Sequence, residues 1–309
     1  MNQVNRVTNR PTSPPKKPAV QARPPQDVPQ VSSARQAWRR MARNRGAMAG
    51  LVIIIVLLVT AAFAPGLAPH DPFRQDLGQM AKGSSPDHLL GTDELGRDVL
   101  SRIIYGSRLS LLVSVISVGI GLLVGVPLGL VSGFFGGKLD LMLQRLVDMM
   151  LAFPGILLAI IVTGVLGVGL TNAMIAIGIV FVPTYARLVR SSVLAVKQKE
   201  YVEAARALGA TNFTIVSRHV LPNCLSPLIV QSTLNVGSAI LWAAGLGFLG
   251  LGAQAPQAEW GAMLSNGRMY LRAAPHVVTS PGLAIMLTVL GFNLVGDGLR
   301  DALDPKMKR

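Results

Sequence analysis

The sequence predicts an all-α integral membrane protein with six transmembrane helices. The chain has 309 residues, of which half are hydrophobic and only 14% are charged, whereas soluble domains carry about a quarter charged residues. The charges are clustered, and they leave uncharged runs long enough to cross a bilayer, which takes about 20 apolar residues. The 32 glycines are typical of membrane helices whose backbones approach closely.

The uncharged runs define the spans in order along the chain. They fall within residues 45–70, 108–138, 148–187, 219–259 and 272–297. The run at 148–187 contains a Gly-rich stretch at 164–172, which predicts a tight turn between spans three and four. The run at 219–259 predicts span five, roughly at 223–246, followed by an apolar segment with Gly and Pro outside the membrane. Six spans place both termini on the same side.

The basic residues orient the bundle. If both termini lie inside, the inner segments hold 22 of the 29 Lys and Arg residues and the outer segments hold seven, while the acidic residues divide almost evenly. The whole net charge of +14 then lies on one face, as the positive-inside rule requires of a cytoplasmic face. Both termini are therefore predicted to be cytoplasmic, and nucleic-acid binding is not needed to explain the charge.

The chain divides into four parts. Residues 1–33 contain seven prolines and are predicted to be a disordered cytoplasmic tail. Residues 34–104 comprise an interfacial amphipathic helix at 34–45, the first transmembrane helix and an extracytoplasmic segment; a solvated basic linker is the alternative to the interfacial helix. Residues 105–300 form a five-helix core, and residues 301–309 are a cytoplasmic C-terminus.

The extracytoplasmic segment ends in a predicted helix that begins near Asp93, with Thr92 or Asp93 as its N-cap. His88, Asp93, Glu94 and Asp98 are conceivable metal ligands, but acidic residues also favour a helix N-terminus. Their spacing matches no known metal site, and no two of the four histidines are spaced as metal ligands. We therefore expect no metal site. Cys224, the only cysteine, excludes an internal disulfide.

Span two carries a ridge of glycines at every fourth residue. The ridge consists of Gly121, Gly125, Gly129 and Gly133. On a helix these residues form one flat surface that another helix can approach closely. The partner is either another subunit or gate, or a helix of the same chain.

Span five carries a stripe of polar residues without ionisable groups. Gln231, Asn235 and Ser238 recur at helical spacing, and Asn293 lies late in span six. Polar groups inside a membrane tend to face the protein interior. The stripe suits a water-filled path for a polar solute, and hydrogen bonding between helices is the alternative.

The longest inner loop, 187–222, has the pattern of two short helices. Residues 197–208 form the first, and Gly209 stands where a helix end favours positive φ. Thr211 caps the second, and Pro222 marks the entry to span five. The pattern predicts a projecting docking surface.

This loop resembles the EAA loop of ATP-binding-cassette importer permeases. The resemblance rests on Glu203-Ala204-Ala205, then Gly209 after three residues, then Leu221-Pro222. Further segments resemble the dipeptide/oligopeptide subfamily, closest to its C-type subunits, over roughly residues 34–309. They are LGTD at 90–93, GRDVL at 96–100, FFGG at 134–137, GFLGLG at 247–252, EWG at 259–261 and NLVGDGLRDALDP at 293–305.

The resemblance implies a type I importer permease fold in a bacterial inner membrane. In that family a homologous second permease pairs with the chain, and two cytoplasmic ATPase subunits bind the EAA loops. An extracytoplasmic peptide-binding protein delivers the solute. The chain itself is then non-catalytic and without cofactor, since ATP and magnesium bind the partner ATPases. Dipeptides are the expected substrate, with oligopeptides, glutathione-like peptides or chelated nickel as alternatives.

Other classes fit less well. GLGFLG at 245–250 matches a dinucleotide fingerprint but lacks a preceding strand, and the sequence around Lys138 departs from a P-loop. A secondary transporter usually shows internal repeats and intramembrane charges, neither of which is evident. A binding or scaffold protein is a third alternative.

Overall fold

The computed structural model describes residues 38–303, so the predicted tail at 1–33 and most of the C-terminus at 301–309 lie outside the described residues. Between these bounds every regular element is helical, apart from one isolated bridge between Thr92 and Asp98. The main helices are α1 (Arg45–Ala62), α2 (Val99–Phe135), α3 (Gly137–Ala152), α4 (Gly155–Leu166), α5 (Leu170–Val196), α6 (Glu200–Ala207), α7 (Leu221–Phe248), α8 (Trp260–Gly267) and α9 (His276–Leu303). Within residues 38–303, five helical stretches are long and apolar enough to cross a membrane: α1, α2, α5, α9 and the stretch Asn212–Phe248, which contains α7. The all-α membrane fold is confirmed.

The third span differs from its prediction as one helix. The structure has a bent pair here, in which α3 and the 12-residue α4 meet at 95°. The break follows from Pro154, because the residue before a proline favours extended backbone and Phe153 adopts it at φ −89°, ψ 134°. The predicted turn after this span is present at Gly167 and Gly169, both with positive φ.

The packing of α2 against α5 fixes the path of the bent pair. Gly121 contacts Phe181, whereas Gly133, further along α2, contacts Val193. The two helices therefore run parallel, and α3 with α4 must return the chain from the end of α2 to the start of α5. The chain thus passes along the bundle six times.

The first and last helices close the bundle. They run antiparallel, since Gly50 lies against Gly291 and Ala47 lies against Gly298. Met41, Ala47 and Ala302 form a small buried cluster, so both ends of the described chain lie at one end of the bundle. We call this the inner end, which also holds residues 197–220, and the opposite end, with residues 63–98 and 249–275, the outer end.

Helix α2 begins later than predicted. Its N-cap is Asp98, whose carboxylate accepts from the Ser101 amide at 2.8 Å. Residues 91–98 instead form a tight loop, in which Gly91 and Gly96 have φ of +73° and +72°. The prediction of Thr92 or Asp93 as N-cap was wrong, because the Asp93 carboxylate accepts backbone N–H bonds within the loop and pairs with Arg97.

The predicted interfacial helix at 34–45 is also shorter in the part that the structure describes. One helical turn covers residues 38–41, and a turn follows before α1. Asn44 ends this segment because its side chain accepts from the Ala47 amide at 3.1 Å and caps α1.

Two larger apolar cores hold the bundle. The first lies between α2, α5 and α7 and extends under the inner loop to the buried Val202 and Ile215. The second lies at the outer end, where Val99 and Trp260 are fully or almost fully buried. The Trp260 indole N–H donates to the Ile103 carbonyl at 3.1 Å, which ties the first residue of α8 to α2.

Candidate functional site: a coupling loop and a polar path

The inner loop forms two short helices around Gly209. Helix α6 ends at Ala207, and Gly209 follows with φ +83°, a conformation that glycine adopts without steric cost. The Thr211 hydroxyl then accepts from the Thr214 amide at 3.2 Å and caps the turn Asn212–Ile215. The backbone of this loop therefore has the predicted order of a helix, a glycine with positive φ and a second short helix.

The same loop exposes the residues of the EAA motif. Glu203 and Ala204 are exposed, and Ala205 is half-buried. Beside them Leu208 is 89% exposed and Phe213 is 81% exposed. The loop thus presents two large apolar side chains that no other part of the described chain covers. This surface, residues 203–213, is called the coupling surface below.

The coupling surface is attached firmly to α7. Beneath it, Val202 and Val220 are buried. The Asn223 side-chain amide donates to the His219 carbonyl at 2.6 Å and to the Tyr201 hydroxyl at 3.3 Å. These contacts join α6 to the base of α7.

Leu221 and Pro222 lie where α7 begins. Pro222 lines a cavity of about 510 Å³ between α5, α7 and α9, together with Gln231 and Arg300. The cavity connects the coupling-loop motif to the first residue of the predicted polar stripe.

The polar stripe is only partly accessible. The Gln231 side-chain amide donates to Asn235 Oδ1 at 2.9 Å, and Asn235 is 5% exposed. Ser238 donates to the Leu234 carbonyl of its own helix at 3.2 Å. Asn293 is exposed on α9, and its Oδ1 faces Gly237. The structure thus brings Gln231 and Asn235 together and places Asn293 beside the same helix.

Residues beside the stripe line a second cavity. This cavity, about 430 Å³, lies between α2, α7 and α9 and contains Ser232 and Thr233 among apolar side chains. Ser232 also accepts from the Tyr185 hydroxyl at 3.2 Å. Their position on the helix face next to Gln231 was the only sequence signal.

The glycine ridge packs within the chain. A Cβ placed on Gly125 would lie 2.7 Å from the Tyr185 Cβ, and one on Gly129 would lie 2.7 Å from the Val189 Cβ. Gly121 and Gly133 meet the same helix, α5. Of the two partners that the sequence left open, the ridge contacts a helix of the same chain.

An ionic cluster at the inner end was missed by sequence analysis. Arg190 on α5 donates two hydrogen bonds to Asp140 on α3, both at 2.7 Å. Ser132 at the end of α2 also donates to Asp140, and Lys197 donates to the Gly133 carbonyl at 2.9 Å. The cluster joins α2, α3 and α5 at the inner end of the bundle. These charges lie 50 residues apart in sequence, which gave no local signal.

A second charged cluster lies at the outer end. Arg97 pairs with Asp93 at 2.6 Å and with Glu94 at 2.7 Å, and Arg102 Nε lies 3.3 Å from Asp93. Burial raises the pKa of Glu94, and the Asp93 carboxylate raises it further against the effect of Arg97. Two of the acidic residues considered as metal ligands are therefore engaged by arginines, while His88 lies beside Asp98 at 2.9 Å.

Glu259, in the EWG segment, is a buried helix cap. It is 2% exposed, and its two carboxylate oxygens accept from the amides of Gly261 and Ala262 at 2.9 and 2.8 Å. Burial raises the pKa of Glu259, although these two hydrogen bonds oppose the shift. Glu259 thus caps the N-terminus of α8 at the outer end of the bundle.

Known proteins resemble this chain in both sequence and fold. A family model described as the binding-protein-dependent transport system inner membrane component matches residues 125–309. A second model, the N-terminal TM domain of oligopeptide transport permease C, matches residues 32–86. In the solved inward-facing MetNI methionine ABC transporter, a chain 22% identical aligns with a TM-score of 0.55, over 66% of this chain and 98% of that one. This last match shows the type I importer permease fold.

Curated relatives cover almost the whole chain. The dipeptide transport system permease protein of Alkalihalophilus pseudofirmus is 49% identical over 94% of this chain and 96% of its own length. The di/tripeptide transport system permease protein of Pseudomonas aeruginosa is 50% identical over 90% of this chain and 93% of its own. The glutathione transport system permease protein of Pectobacterium atrosepticum is 46% identical over 89% of this chain and 91% of its own length. The chain therefore belongs to the binding-protein-dependent transport system inner membrane component family, the non-catalytic, multi-pass permease subunits of ABC importers.

Proposed function

We propose that this chain is the permease subunit of an ATP-driven importer of dipeptides and other short peptides in a bacterial inner membrane. Both termini face the cytoplasm, because the inner end carries the excess of basic residues. The observation that carries the proposal is the coupling surface, which exposes Leu208 and Phe213 on a loop anchored to α7.

The proposed partners are those of the permease family to which the chain belongs. Two cytoplasmic ATPase subunits, which hold ATP and magnesium, bind the coupling surfaces of this chain and of a homologous second permease. Glu203, Ala204 and Ala205 contact the ATPase, and Gly209 lets the loop turn. Closure of the ATPases moves α6, and Leu221-Pro222 passes the movement into α7. An extracytoplasmic peptide-binding protein delivers the solute to the outer end.

The solute path runs along α7. Gln231 and Ser232 each line a cavity. Their neutral polar groups suit a path for a zwitterionic or polar solute better than they suit a proton relay. Asn235 orients Gln231, while Ser238 and Asn293 extend the polar surface. Relatives named for dipeptides and for glutathione are similarly close to this chain, so a glutathione-like peptide is the second candidate substrate.

The test is to co-express the four kinds of subunit and reconstitute the complex in lipid nanodiscs. The ATPase rate is measured with the binding protein and, in turn, a dipeptide, a pentapeptide, glutathione and a nickel chelate. We expect the dipeptide to stimulate hydrolysis most. Stimulation by glutathione alone would assign the second candidate, and failure of any ATPase to co-purify would contradict the coupling role.

A further inference from the structure

Two histidines and an aspartate meet at the outer end. His70 follows α1, His88 lies in the loop before α2, and Asp98 caps α2. His88 Nδ1 lies 2.9 Å from Asp98 Oδ1, and His70 Nδ1 lies 3.8 Å from Asp98 Oδ2. One donor atom from each residue lies within 4.8 Å of the other two. Residues distant in sequence thus present three ligand atoms to one point.

The backbone around the cluster holds each ligand in place. Asp98 Oδ2 accepts from the Ser101 amide at 2.8 Å and from the Ser101 hydroxyl at 2.7 Å. The same hydroxyl accepts a hydrogen bond from the His70 backbone amide at 3.0 Å, and the Ser85 hydroxyl accepts one from the His88 backbone amide at 3.1 Å. The bonds to Asp98 orient its carboxylate before an ion binds, and the bonds to the His70 and His88 amides fix the backbone that carries the two imidazoles.

The spacing and chemistry fit a first-row transition metal. Tetrahedral zinc with bonds of about 2.1 Å separates its ligand atoms by roughly 3.4 Å. His88 Nδ1 lies 2.9 Å from Asp98 Oδ1 and His70 Nδ1 lies 3.8 Å from Asp98 Oδ2, and a set with one donor atom from each residue lies within 4.8 Å, so small side-chain movements suffice to surround an ion. Two imidazole nitrogens with one carboxylate favour zinc, nickel or copper over calcium or magnesium, which prefer oxygen.

The cluster opens to solvent through an acidic cavity. The side chains of His70 and His88 are 40% and 20% exposed, whereas Asp98 is 2% exposed. A cavity of about 260 Å³ contains the three ligands, and it is also lined by Asp71, Asp76, Asp87, Gln79, Gly96 and Arg74. Three further carboxylates against one arginine favour a cation, and the cavity leaves room for water at a fourth coordination position.

We propose that His70, His88 and Asp98 bind a divalent transition-metal ion of the zinc type. The ion joins the segment that follows α1 to the N-terminus of α2 and so fixes the outer segment on the bundle. The site is separate from the polar path along α7, and the proposal holds whatever solute is transported.

The test uses the full chain in its complex, in nanodiscs, with an affinity tag that contains no histidine. After treatment with a chelator and its removal, zinc is titrated against a chromogenic chelator, and the melting temperature is measured with zinc, calcium or magnesium. We expect stoichiometric zinc and a rise in melting temperature, because an ion that binds only the folded state stabilises it. Cobalt should give the visible absorption bands of a tetrahedral site.

The variants separate a metal site from a local ion pair. His70→Gln with His88→Gln should weaken zinc binding about tenfold or more and abolish the thermal shift, while His219→Gln, at the inner end, changes neither. Absence of stoichiometric zinc in the wild type, or equal affinity in the double variant, would overturn the proposal. An equal shift with calcium or magnesium would overturn it too, since it indicates a merely acidic cavity. If the double variant misfolds, His70→Gln alone decides in the same way, because His70 is partly exposed.

Discussion

At the scale of single residues, the glycine ridge gives the sharpest prediction about packing. Gly125→Leu should lower the yield and the melting temperature of the complex, because even a Cβ at this position would lie 2.7 Å from the Val182 carbonyl oxygen. Overpacking a close helix contact costs about 1–3 kcal/mol or more. Yield and melting temperature are measured in detergent after mild solubilisation.

The matched control is on the same helix. Gly119 has nothing within 4 Å of the position of a Cβ, so Gly119→Leu should leave yield and melting temperature near those of the wild type. Equal behaviour of the two variants would mean that α2 does not pack on α5 through this ridge.

At the scale of elements, the coupling loop depends on one backbone conformation. Gly209→Pro should abolish peptide uptake while the protein stays in the membrane, because proline fixes φ near −65° and Gly209 has φ +83°. Glu203→Lys should have the same effect by reversing an exposed charge on the coupling surface. Uptake of labelled dipeptide into cells is measured beside the amount of protein in the membrane fraction.

Gly209→Asn is the control for the loop conformation. Asparagine tolerates positive φ better than other residues with a side chain, so this variant should retain most uptake. Normal uptake by both Gly209→Pro and Glu203→Lys would remove the coupling assignment.

The ionic cluster at the inner end gives a prediction about the stability of the bundle. Asp140→Asn should destabilise the bundle by about 1–2 kcal/mol, since it breaks the paired hydrogen bonds from Arg190 at 2.7 Å. Asp148→Asn removes a single contact to Arg187 between side chains that are 50% and 54% exposed, and exposed pairs contribute little. Thermal unfolding should therefore separate the two variants, and identical melting temperatures would show that the cluster is not a structural joint.

The elements differ in how far the sequence could predict them. Charge-free runs predicted the long helices, because crossing a membrane imposes length and composition on one continuous segment. The start of α2 was missed because the four-residue spacing of Asp93 and Arg97 also fits a helix, whereas the structure places this pair in the loop before α2. Likewise His70 and His88, 18 positions apart, meet only once α1 and α2 have packed.

The parts of the candidate site also differ in how far the sequence could predict them. The coupling loop could be predicted because its turn depends on a glycine and its neighbours along the chain. The polar stripe was harder, because helical spacing shows which residues share a face but not what lies opposite. Only the packed bundle shows that Asn235 is buried against Gln231 while Ser232 lines a cavity.

At the scale of the whole molecule, the bent pair decides the topology. If α3 and α4 cross the membrane, there are six crossings and the coupling surface lies on the same side as both termini. If they did not, the coupling surface and the outer segment at 63–98 would lie on the same side. The parallel packing of α2 and α5 requires the crossing, although α4 alone has only 12 residues and spans about 18 Å.

Cysteine labelling tests this topology directly, because Cys224 is the only native cysteine and is buried. In a Cys224→Ser background, Gly83→Cys at the outer end and Lys199→Cys at the inner end are each placed at an exposed position. A membrane-impermeant maleimide, applied to cells whose outer envelope is permeable, should label position 83 at once and position 199 only after the inner membrane is opened. Labelling of both positions in intact cells would mean that the bent pair does not cross, and the coupling surface could then not reach a cytoplasmic ATPase. Labelling of position 199 at once and of position 83 only after the inner membrane is opened would mean that the bundle has the opposite orientation. That result would contradict the orientation predicted from the basic residues.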